Sequence, residues 1–210
     1  VALEQLEQYA PVVIDSFQEL AKTGSVEFLT EPYAHSLASL YNTDEFVEQV
    51  NLHADKIEQL FGKRPTAVHN SELIYSDEIG EVLQKMGYKT VLIEQVKDVL
   101  GWKSPNYVYH HPSNPKLKLL VRNNKLSDDI AFRFSNRAWA DFPLTSEKFV
   151  SRIAEASDGE QIFNVWMGYE ALGFYQHPES GIFEFLKAVP FHAIEHSIGF
   201  VLPSEATKKL

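Results

Sequence analysis

Apolar positions along the chain switch repeatedly between helical and extended spacing, which predicts an α/β fold. Recurrence every three to four residues predicts helices over residues 11–21, 42–60, 76–86, 146–156 and 181–188. Short apolar runs rich in β-branched residues predict strands over residues 26–29, 66–69, 90–93, 117–121, 161–167 and 198–202. Because such strands suit burial on both faces, we expect parallel pairing with right-handed crossovers.

Capping residues mark where two of these helices begin and end. Asn42 is followed three residues later by Glu45, which is capping-box spacing, and Ser76 precedes the first turn of another helix. Gly62 and Gly87 follow the last apolar positions and predict the two helix ends.

The two ends of the chain predict further helices rather than strands. Residues 2–6 have helical spacing with no strand before them, and a new helix is predicted after Pro203. A closed barrel would need at least one more strand. We therefore predict an incomplete parallel (β/α) barrel, truncated at both ends. It would form a single partial domain over residues 1–210, with the first strand and the C-terminal region missing.

Charge and composition narrow the class of partner. The net charge is −10, which argues against nucleic acid and against an anionic membrane surface, because both require a basic face. A neutral sugar is compatible with an acidic protein. The 210 residues include no cysteine, which excludes disulfides and thiol chemistry and favours a cytoplasmic protein.

The segment after the predicted strand 66–69 carries the first candidate for chemistry. Glu72 lies just beyond this strand, with His69 and Asn70 before it and Tyr75 after it. The carboxyl ends of the strands form the active-site face of a (β/α) barrel, and a carboxylate there is a candidate nucleophile for glycosyl transfer. From the pattern alone, the alternative is a loop glutamate that caps the following helix.

A second candidate is the loop that follows the predicted strand 161–167. From Met167 to Gly173 it reads Met-Gly-Tyr-Glu-Ala-Leu-Gly and combines glycine with aromatic and acidic residues. Such a composition is typical of a functional loop at a barrel mouth. The alternative is an ordinary strand-to-helix loop whose glycines serve turn geometry.

Five separated blocks resemble, in this order, the catalytic domain of the α-amylase-like branch of glycoside hydrolase family 57. They read GSVEFLTEPYAHSL, FGKRPTAVHNSELIYSDEIGEVLQKMGYKTVLIE, GWKSPNYVYH, LKLLVRNNKLSDDIAFRFSNRAWADFPLT and FNVWMGYEALGFYQHPESGIFEFLKAVP. The similarity spans essentially the whole chain. It implies an incomplete (β/α)7 TIM-like barrel, a retaining mechanism and α-1,4-glucan substrates.

The resemblance also assigns roles to two positions. Glu72 falls on the family's nucleophile, and Gly168 falls on the aspartate that serves as its acid/base. A retaining mechanism needs two carboxyl groups about 5–5.5 Å apart, and glycine has none. Loss of a general acid costs roughly 10²–10⁴ in rate. The resemblance therefore implies a glycosidase impaired at Gly168. The family's early His-Gln-Pro block and its last block are absent from this chain.

Further positions are expected near the sugar. By resemblance, His35 lies at the site, with a polar loop histidine as the alternative. Trp102 and Tyr107 are candidates for stacking on glucose rings, with core packing as the alternative. On a continued strand Glu170 would lie about 6–7 Å beyond Gly168, so we do not expect it to replace the acid. The predicted substrate-binding residues are His35, His69, Asn70, Trp102, Tyr107 and Glu170.

Two other polar patterns have structural alternatives. For the acidic pair Asp128 and Asp129, helix capping or a salt bridge to Arg133 is the expected role. Residues 192–196 (His-Ala-Ile-Glu-His) match the H-x-x-E-H spacing of zinc peptidases. A third ligand is required, and the only acid that follows is Glu205. We therefore predict no metal site and no cofactor.

Two functions of different classes remain open from the sequence. The first is an α-amylase-like or 4-α-glucanotransferase-like enzyme, and the second is a non-catalytic α-glucan-binding or regulatory pseudoenzyme that has lost its acid. A metal-dependent deacetylase barrel is disfavoured, because no aspartate with paired histidines falls at matching strand ends. The expected partner is an α-glucan or maltooligosaccharide, and no oligomeric state is predicted.

Overall fold

The computed structural model describes residues 1–156 and 159–209, with the side chains of all of these except Lys209. The chain packs as two compact units. The first comprises residues 1–94, 108–120 and 202–210, and the second comprises residues 95–107 and 121–201. Helices and strands are both present, so the predicted α/β class is confirmed. That residues 1–210 form a single domain stays a prediction.

The first unit contains a sheet and the helices that cover it. Its strands, numbered along the whole chain, are β1 Ala67–His69, β2 Thr90–Ile93, β3 Val108–His111 and β4 Asn114–Val121, whose last residue belongs to the second unit. Its helices are α1 Ala2–Tyr9, α2 Pro11–Thr23, α3 Thr43–Phe61, α4 Asp77–Lys85 and α9 Pro203–Lys209. The predicted helices of this unit are confirmed, as are the strands predicted over 66–69, 90–93 and 117–121.

The sheet of the described residues has the strand order β1-β2-β4-β3. β1 and β2 pair in parallel, with Ala67 opposite Thr90, as predicted. β3 and β4 instead pair antiparallel. Only Pro112 and Ser113 join these two strands, and so short a connection permits no parallel crossover. The prediction of a wholly parallel sheet is therefore wrong for this pair.

Helices α3 and α4 are fixed by the caps that the sequence predicted. The Asn42 side chain accepts a hydrogen bond from the Glu45 N–H at 3.1 Å, and Ser76 Oγ accepts one from the Ile79 N–H at 3.3 Å. The apolar faces of both helices enter one buried cluster with the strands, which comprises Phe46, Val50, Val68, Ile79, Leu83, Tyr88, Val91, Leu117 and Leu119.

The strand predicted over residues 26–29 is not formed. Phe28 stacks on Phe61 of α3, with ring centroids 4.0 Å apart, so this segment is held by its side chains. Backbone pairing begins only at Thr30, which forms a parallel bridge to Val68 of β1. Because this pairing begins only at residue 30, the predicted strand does not form. Glu31 follows the bridge and lies at the carboxyl end of β1.

The second unit is mainly helical. It contains α5 Lys97–Leu100, α6 Asn124–Asp128, a π-helical turn Asp129–Arg133, α7 Ser146–Ala156, α8 Ile182–Glu195, and the 3₁₀ turns Tyr169–Ala171 and Pro178–Ser180. α7 has its predicted bounds, whereas α8 continues past the predicted end at residue 188. Its core comprises Leu126, Ile130, Phe134, Leu144, Phe149, Val150, Ile153, Ile182, Phe185 and Ala193.

Two strands predicted in the second unit are absent from the described residues, over 161–167 and 198–202. Isolated backbone hydrogen bonds and side-chain contacts take the place of a regular strand ladder along the first segment. Asn164 Nδ2 donates to the Val121 carbonyl at 3.0 Å, and Arg122 Nε donates to the Trp166 carbonyl at 2.9 Å. The segment is anchored by these bonds, but it lacks the regular backbone pairing of a strand.

No helix among the described residues is both long enough and apolar enough to cross a lipid bilayer.

Gly80 on α4 permits a close contact with β3. A Cβ atom at this position would lie 2.7 Å from His111 Cδ2 and would overlap the Tyr75 hydroxyl. His111 cannot readily move, because its Nδ1 accepts from the Ser113 N–H at 3.2 Å and its Nε2 therefore donates to the Asp77 carbonyl at 3.0 Å. A methyl group at residue 80 would displace both rings.

We expect Gly80→Ala to destabilise the protein. Alanine gains about 1 kcal/mol of helix propensity over glycine, but overpacking typically costs about 1–3 kcal/mol. The net loss should appear as a lower midpoint in urea unfolding of the full-length protein. Gly199→Ala is the matched control, because no atom lies within 4 Å of its Cβ position. A Gly80→Ala variant as stable as the control would contradict the prediction.

Candidate active site

Backbone pairing brings two acidic side chains to one edge of the sheet in the first unit. The Thr30 N–H donates to the Ala67 carbonyl at 3.2 Å, and the His69 N–H donates to the Thr30 carbonyl at 3.0 Å. Glu31 therefore follows a strand-like residue parallel to β1, as Glu72 follows β1 itself. Side chains that leave the carboxyl ends of parallel strands meet at the same edge.

A histidine bridges the two carboxylates. His35 Nε2 lies 3.0 Å from Glu72 Oε1, and His35 Nδ1 lies 3.0 Å from Glu31 Oε2. Carboxylate oxygens only accept hydrogen bonds, so both ring nitrogens must carry a proton to satisfy both contacts. The site therefore holds an imidazolium between two carboxylates, and Glu72 remains 73% exposed.

The bridge raises the pKa of His35. Its hydrogen bonds, first to Glu72 and then to Glu31, favour the charged ring over the opposing effect of burial. Neighbouring His69 behaves differently, because burial is the largest influence and lowers its pKa. Its Nδ1 donates to the Asn70 carbonyl at 3.2 Å, and its Nε2 lies 3.8 Å from Glu31 Oε2.

The backbone around the carboxylates has an uncommon conformation. Four residues other than glycine have positive φ among those described: His35, Glu72, Leu73 and Ser197. The first two form the bridge, at φ 51° and 55°, and the third follows directly. Left-handed backbone is unfavourable for residues with a Cβ and concentrates at functional sites. This observation supports a functional role for Glu72.

Buried polar contacts hold the Glu72 turn in place. The side chain of Asn70 is buried, donates to Ser39 Oγ at 2.7 Å and to the Ile74 carbonyl at 3.1 Å, and accepts from the Ser71 N–H at 2.9 Å. Ser71 Oγ donates to the Ser36 carbonyl at 2.7 Å, which ties this turn to the His35 loop. Asn70 thus positions the site, while its predicted contact with substrate stays a prediction.

The geometry removes one alternative for Glu72 and adds a residue that the sequence analysis missed. The cap of α4 is Ser76, and the Glu72 carboxylate contacts His35 instead, so Glu72 does not cap the helix. Glu31 was not singled out. The sequence does contain a signal for Glu31: an acidic residue and a histidine lie four positions apart, at residues 31 and 35, in a segment that follows an apolar run.

Position 168 lies in the second unit, where Gly168 precedes the 3₁₀ turn Tyr169–Ala171. Its backbone, at φ −69° and ψ 155°, suits any L-residue, so conformation does not require glycine here. Glu170 folds back over it. A Cβ atom built on Gly168 would lie 2.5 Å from Glu170 Cδ and would overlap both carboxylate oxygens. The expectation that a continued strand carries Glu170 away from residue 168 is therefore wrong.

Buried Gln176 fixes the loop that carries Glu170. Its Nε2 donates to the Ala131 carbonyl at 2.9 Å, and its Oε1 accepts from the Ser135 N–H at 3.2 Å. The loop also closes on itself, since the Gln176 N–H donates to the Ala171 carbonyl at 3.1 Å and the Tyr175 N–H donates to the Glu170 carbonyl at 2.9 Å.

The two aromatic candidates, Trp102 and Tyr107, differ in their surroundings. Trp102 is 92% exposed, so the core-packing alternative is wrong for it. Tyr107 is 37% exposed, and its hydroxyl donates to the Gly159 carbonyl at 2.6 Å. Stacking of either ring on glucose stays a prediction.

The remaining acidic and histidine patterns have structural roles. Asp129 is buried and pairs with Arg133 at 2.7 Å, as expected, while Asp128 pairs with Arg122 at 2.6 Å. In the segment 192–196, the contact is between His192 Nδ1 and Glu195 Oε2 at 3.0 Å, at the end of α8. Among the described residues no group of three or more histidine, aspartate or glutamate side chains is arranged to hold a metal ion.

Comparison with known families agrees with the fold. The family model described as glycosyl hydrolase family 57 matches residues 1–210. The chain therefore belongs to glycosyl hydrolase family 57.

The chain is similar to a curated protein and to two solved structures. It is 41% identical over 197 residues to a Methanocaldococcus jannaschii protein named "Putative alpha-amylase", covering 93% of this chain. It resembles the 4-alpha-glucanotransferase from Thermococcus litoralis, with TM-score 0.74, 20% identity and 99% of this chain covered. It also resembles the GH57-type branching enzyme from Pyrococcus horikoshii, with TM-score 0.69, 17% identity and 97% covered.

The chain matches only part of each of these proteins. It spans 41% of the curated relative, 32% of the glucanotransferase chain and 49% of the branching enzyme chain. At such low identities the two solved structures support the shared fold.

Replacing Glu72 with glutamine should lower the pKa of His35. The substitution removes the negative charge behind the largest influence on that pKa, and the neutral amide stabilises the imidazolium less. A pH titration of the imidazole signals by NMR measures the change. Glu31→Gln should lower the pKa by less, because its hydrogen bond is the second influence.

The control for this titration is Glu81→Gln, which neutralises an exposed carboxylate on α4 and should leave the His35 signal unchanged. A His35 pKa that is the same in Glu72→Gln and in the unmodified protein would show that the bridge does not form in solution.

Proposed function

We propose that this chain is part of a protein that acts on α-1,4-glucans by a retaining mechanism, with Glu72 as the nucleophile. Its activity is limited by Gly168, which occupies the position expected for the acid/base. In this proposal the four-stranded sheet is part of an incomplete (β/α)7 TIM-like barrel. The lack of cysteine supports a cytoplasmic location, and the partner is an α-glucan or maltooligosaccharide.

The Glu72 site carries the proposal. Its carboxylate is exposed, lies just past the carboxyl end of β1 and contacts His35, and its residue has the left-handed backbone that is uncommon outside glycine. Attack on a sugar is made by a carboxylate oxygen, and Glu72 presents one here. Membership of glycosyl hydrolase family 57 supplies the class of chemistry.

The proposed reaction has two steps. A Glu72 oxygen attacks C1 of a glucosyl unit while the bond from C1 to the glycosidic oxygen breaks and that oxygen takes a proton from an acid. Water or a sugar hydroxyl then attacks C1, gives its proton to the same group, and releases Glu72. Each step inverts C1, so the overall configuration is retained.

A non-catalytic α-glucan-binding or regulatory protein is the second candidate. Gly168 favours it, because residue 168 itself provides no proton donor. Exposed Trp102 would serve either function, since an aromatic ring offers a face to a sugar whether or not a bond is broken. A covalent intermediate separates the two candidates, because only the enzyme forms one.

Incubation with an α-glucosyl fluoride should add one glucosyl unit to Glu72. Fluoride leaves with little help from an acid, so the nucleophile is tested apart from residue 168. Intact mass of the full-length protein detects the adduct, and peptide mapping locates it.

Two variants control the labelling. Glu72→Gln should form no adduct, whereas Glu81→Gln, which alters an exposed carboxylate on α4, should be labelled normally. An unlabelled protein that still binds maltooligosaccharides would favour the binding function and remove the enzymatic one.

Gly168→Asp should raise glucan turnover by about tenfold or more, up to the roughly 10²–10⁴-fold that general acid catalysis contributes. The backbone of residue 168 accepts the side chain, and the atoms that must move are the flexible end of Glu170. Release of reducing ends from a maltooligosaccharide measures turnover. Gly168→Asn is the matched control, since it adds similar bulk without an acid. Equal rates in both variants would contradict the assigned role of position 168.

A further inference from the structure

We propose that Glu170 acts as the general acid and base of this protein, in place of the side chain that glycine lacks at residue 168. The inference rests on the proposed function, in which Glu72 is the nucleophile. It assigns the proton-transfer role to a residue of this chain, and it follows from where the Glu170 carboxylate lies.

The Glu170 carboxylate occupies the space that an aspartate at residue 168 would use. Glu170 Cδ lies 2.5 Å from the Cβ position of residue 168. In an aspartate, Cγ lies about 1.5 Å from Cβ, the length of one C–C bond. The Glu170 carboxylate carbon is therefore between about 1 Å and about 4 Å from the place of an aspartate carboxylate carbon. This is much closer than the separation of about 6–7 Å expected along a strand.

The 3₁₀ turn is the cause of this overlap. The Ala171 N–H donates to the Gly168 carbonyl at 3.1 Å, which closes the turn. A 3₁₀ helix rises only about 2 Å per residue, so Glu170 stays about 4 Å from residue 168 along the axis. Its side chain has one more methylene than aspartate and folds back across this distance. Only a residue without Cβ leaves room for it.

The Glu170 carboxylate is accessible to a ligand. Among the described residues, no side chain forms a hydrogen bond or ion pair with its carboxylate, and the residue is exposed. Aromatic rings follow it closely in the loop, with Phe174 71% and Tyr175 49% exposed and their centroids 5.3 Å apart. Exposed aromatic rings in the same loop offer apolar faces on which a sugar ring can pack.

The proton balance is complete with Glu170 alone. In the first step its protonated carboxyl gives a proton to the glycosidic oxygen as the bond from C1 to that oxygen breaks and the bond from C1 to Glu72 forms. In the second step the Glu170 carboxylate takes a proton from water as the water oxygen bonds to C1 and the ester to Glu72 breaks. Both carboxyl groups then return to their starting states.

The test measures how long the glucosyl adduct on Glu72 survives. The full-length protein is labelled with α-glucosyl fluoride, freed of excess reagent and followed by intact mass. Glu170→Gln should label normally, because fluoride needs little acid, but its adduct should decay roughly 10²-fold or more slowly, because the base is gone. Azide should restore decay in the variant, since it attacks C1 without giving up a proton.

Two comparisons separate proton transfer from damage to the loop. Glu179→Gln alters an exposed carboxylate in the neighbouring 3₁₀ turn and should leave the decay unchanged. In a Gly168→Asp background, Glu170→Gln should slow decay much less, because the aspartate supplies the base. A structural role for Glu170 would predict the same loss in both backgrounds.

Each outcome decides the proposal. An adduct that decays equally fast in Glu170→Gln and in Glu179→Gln overturns the role of Glu170 and leaves Glu72 as nucleophile. Slow decay that azide does not restore also overturns it. No adduct in the unmodified protein overturns the proposed function itself, and this inference with it.

Discussion

A single parallel backbone pairing, between Thr30 and Val68, decides where the carboxylates of the first unit lie. It aligns the segment that ends in Glu31 with β1, which leads to Glu72, so both side chains emerge at one sheet edge. His35 contacts both carboxylates, and the bridge therefore depends on the register of one pairing.

The bridge also ties stability to pH. His35 has a raised pKa in the folded protein, against an ordinary value of 6.5. The contribution of protonated His35 to the free energy of unfolding is therefore fully present below pH about 6.5. It is lost as the pH rises through the folded-state pKa of His35. Because His35 is 53% exposed, solvent screens this contribution. The unfavourable positive φ of His35 and Glu72 opposes this stabilisation. The turn that carries Glu72 is therefore held by the Asn70 contacts.

Patterns in the sequence predicted what depends on local chemistry. Asn42 and Ser76 cap their helices because hydroxyl and amide oxygens satisfy free N–H groups, whatever the tertiary context. The strand over 161–167 was predicted wrongly because isolated backbone bonds and side-chain contacts such as that of Asn164 replace its ladder, and apolar spacing does not encode that. Glu72 was found from its position after β1, whereas Glu31 was missed because its partner is set by the Thr30 pairing.

The backbone geometry at residue 168 decides whether a neighbouring carboxylate can reach the space of the aspartate side chain that Gly168 lacks. Where the chain is extended, losing the aspartate side chain leaves a gap that a neighbour two residues on cannot reach. In a 3₁₀ turn the same loss opens space that Glu170 fills. Fixing a glutamate side chain costs about 1.5–2 kcal/mol of rotamer entropy, and each 1.36 kcal/mol is about tenfold in rate. A glutamate that must be ordered for each proton transfer should therefore be a slower acid than an aspartate at residue 168, but far better than none.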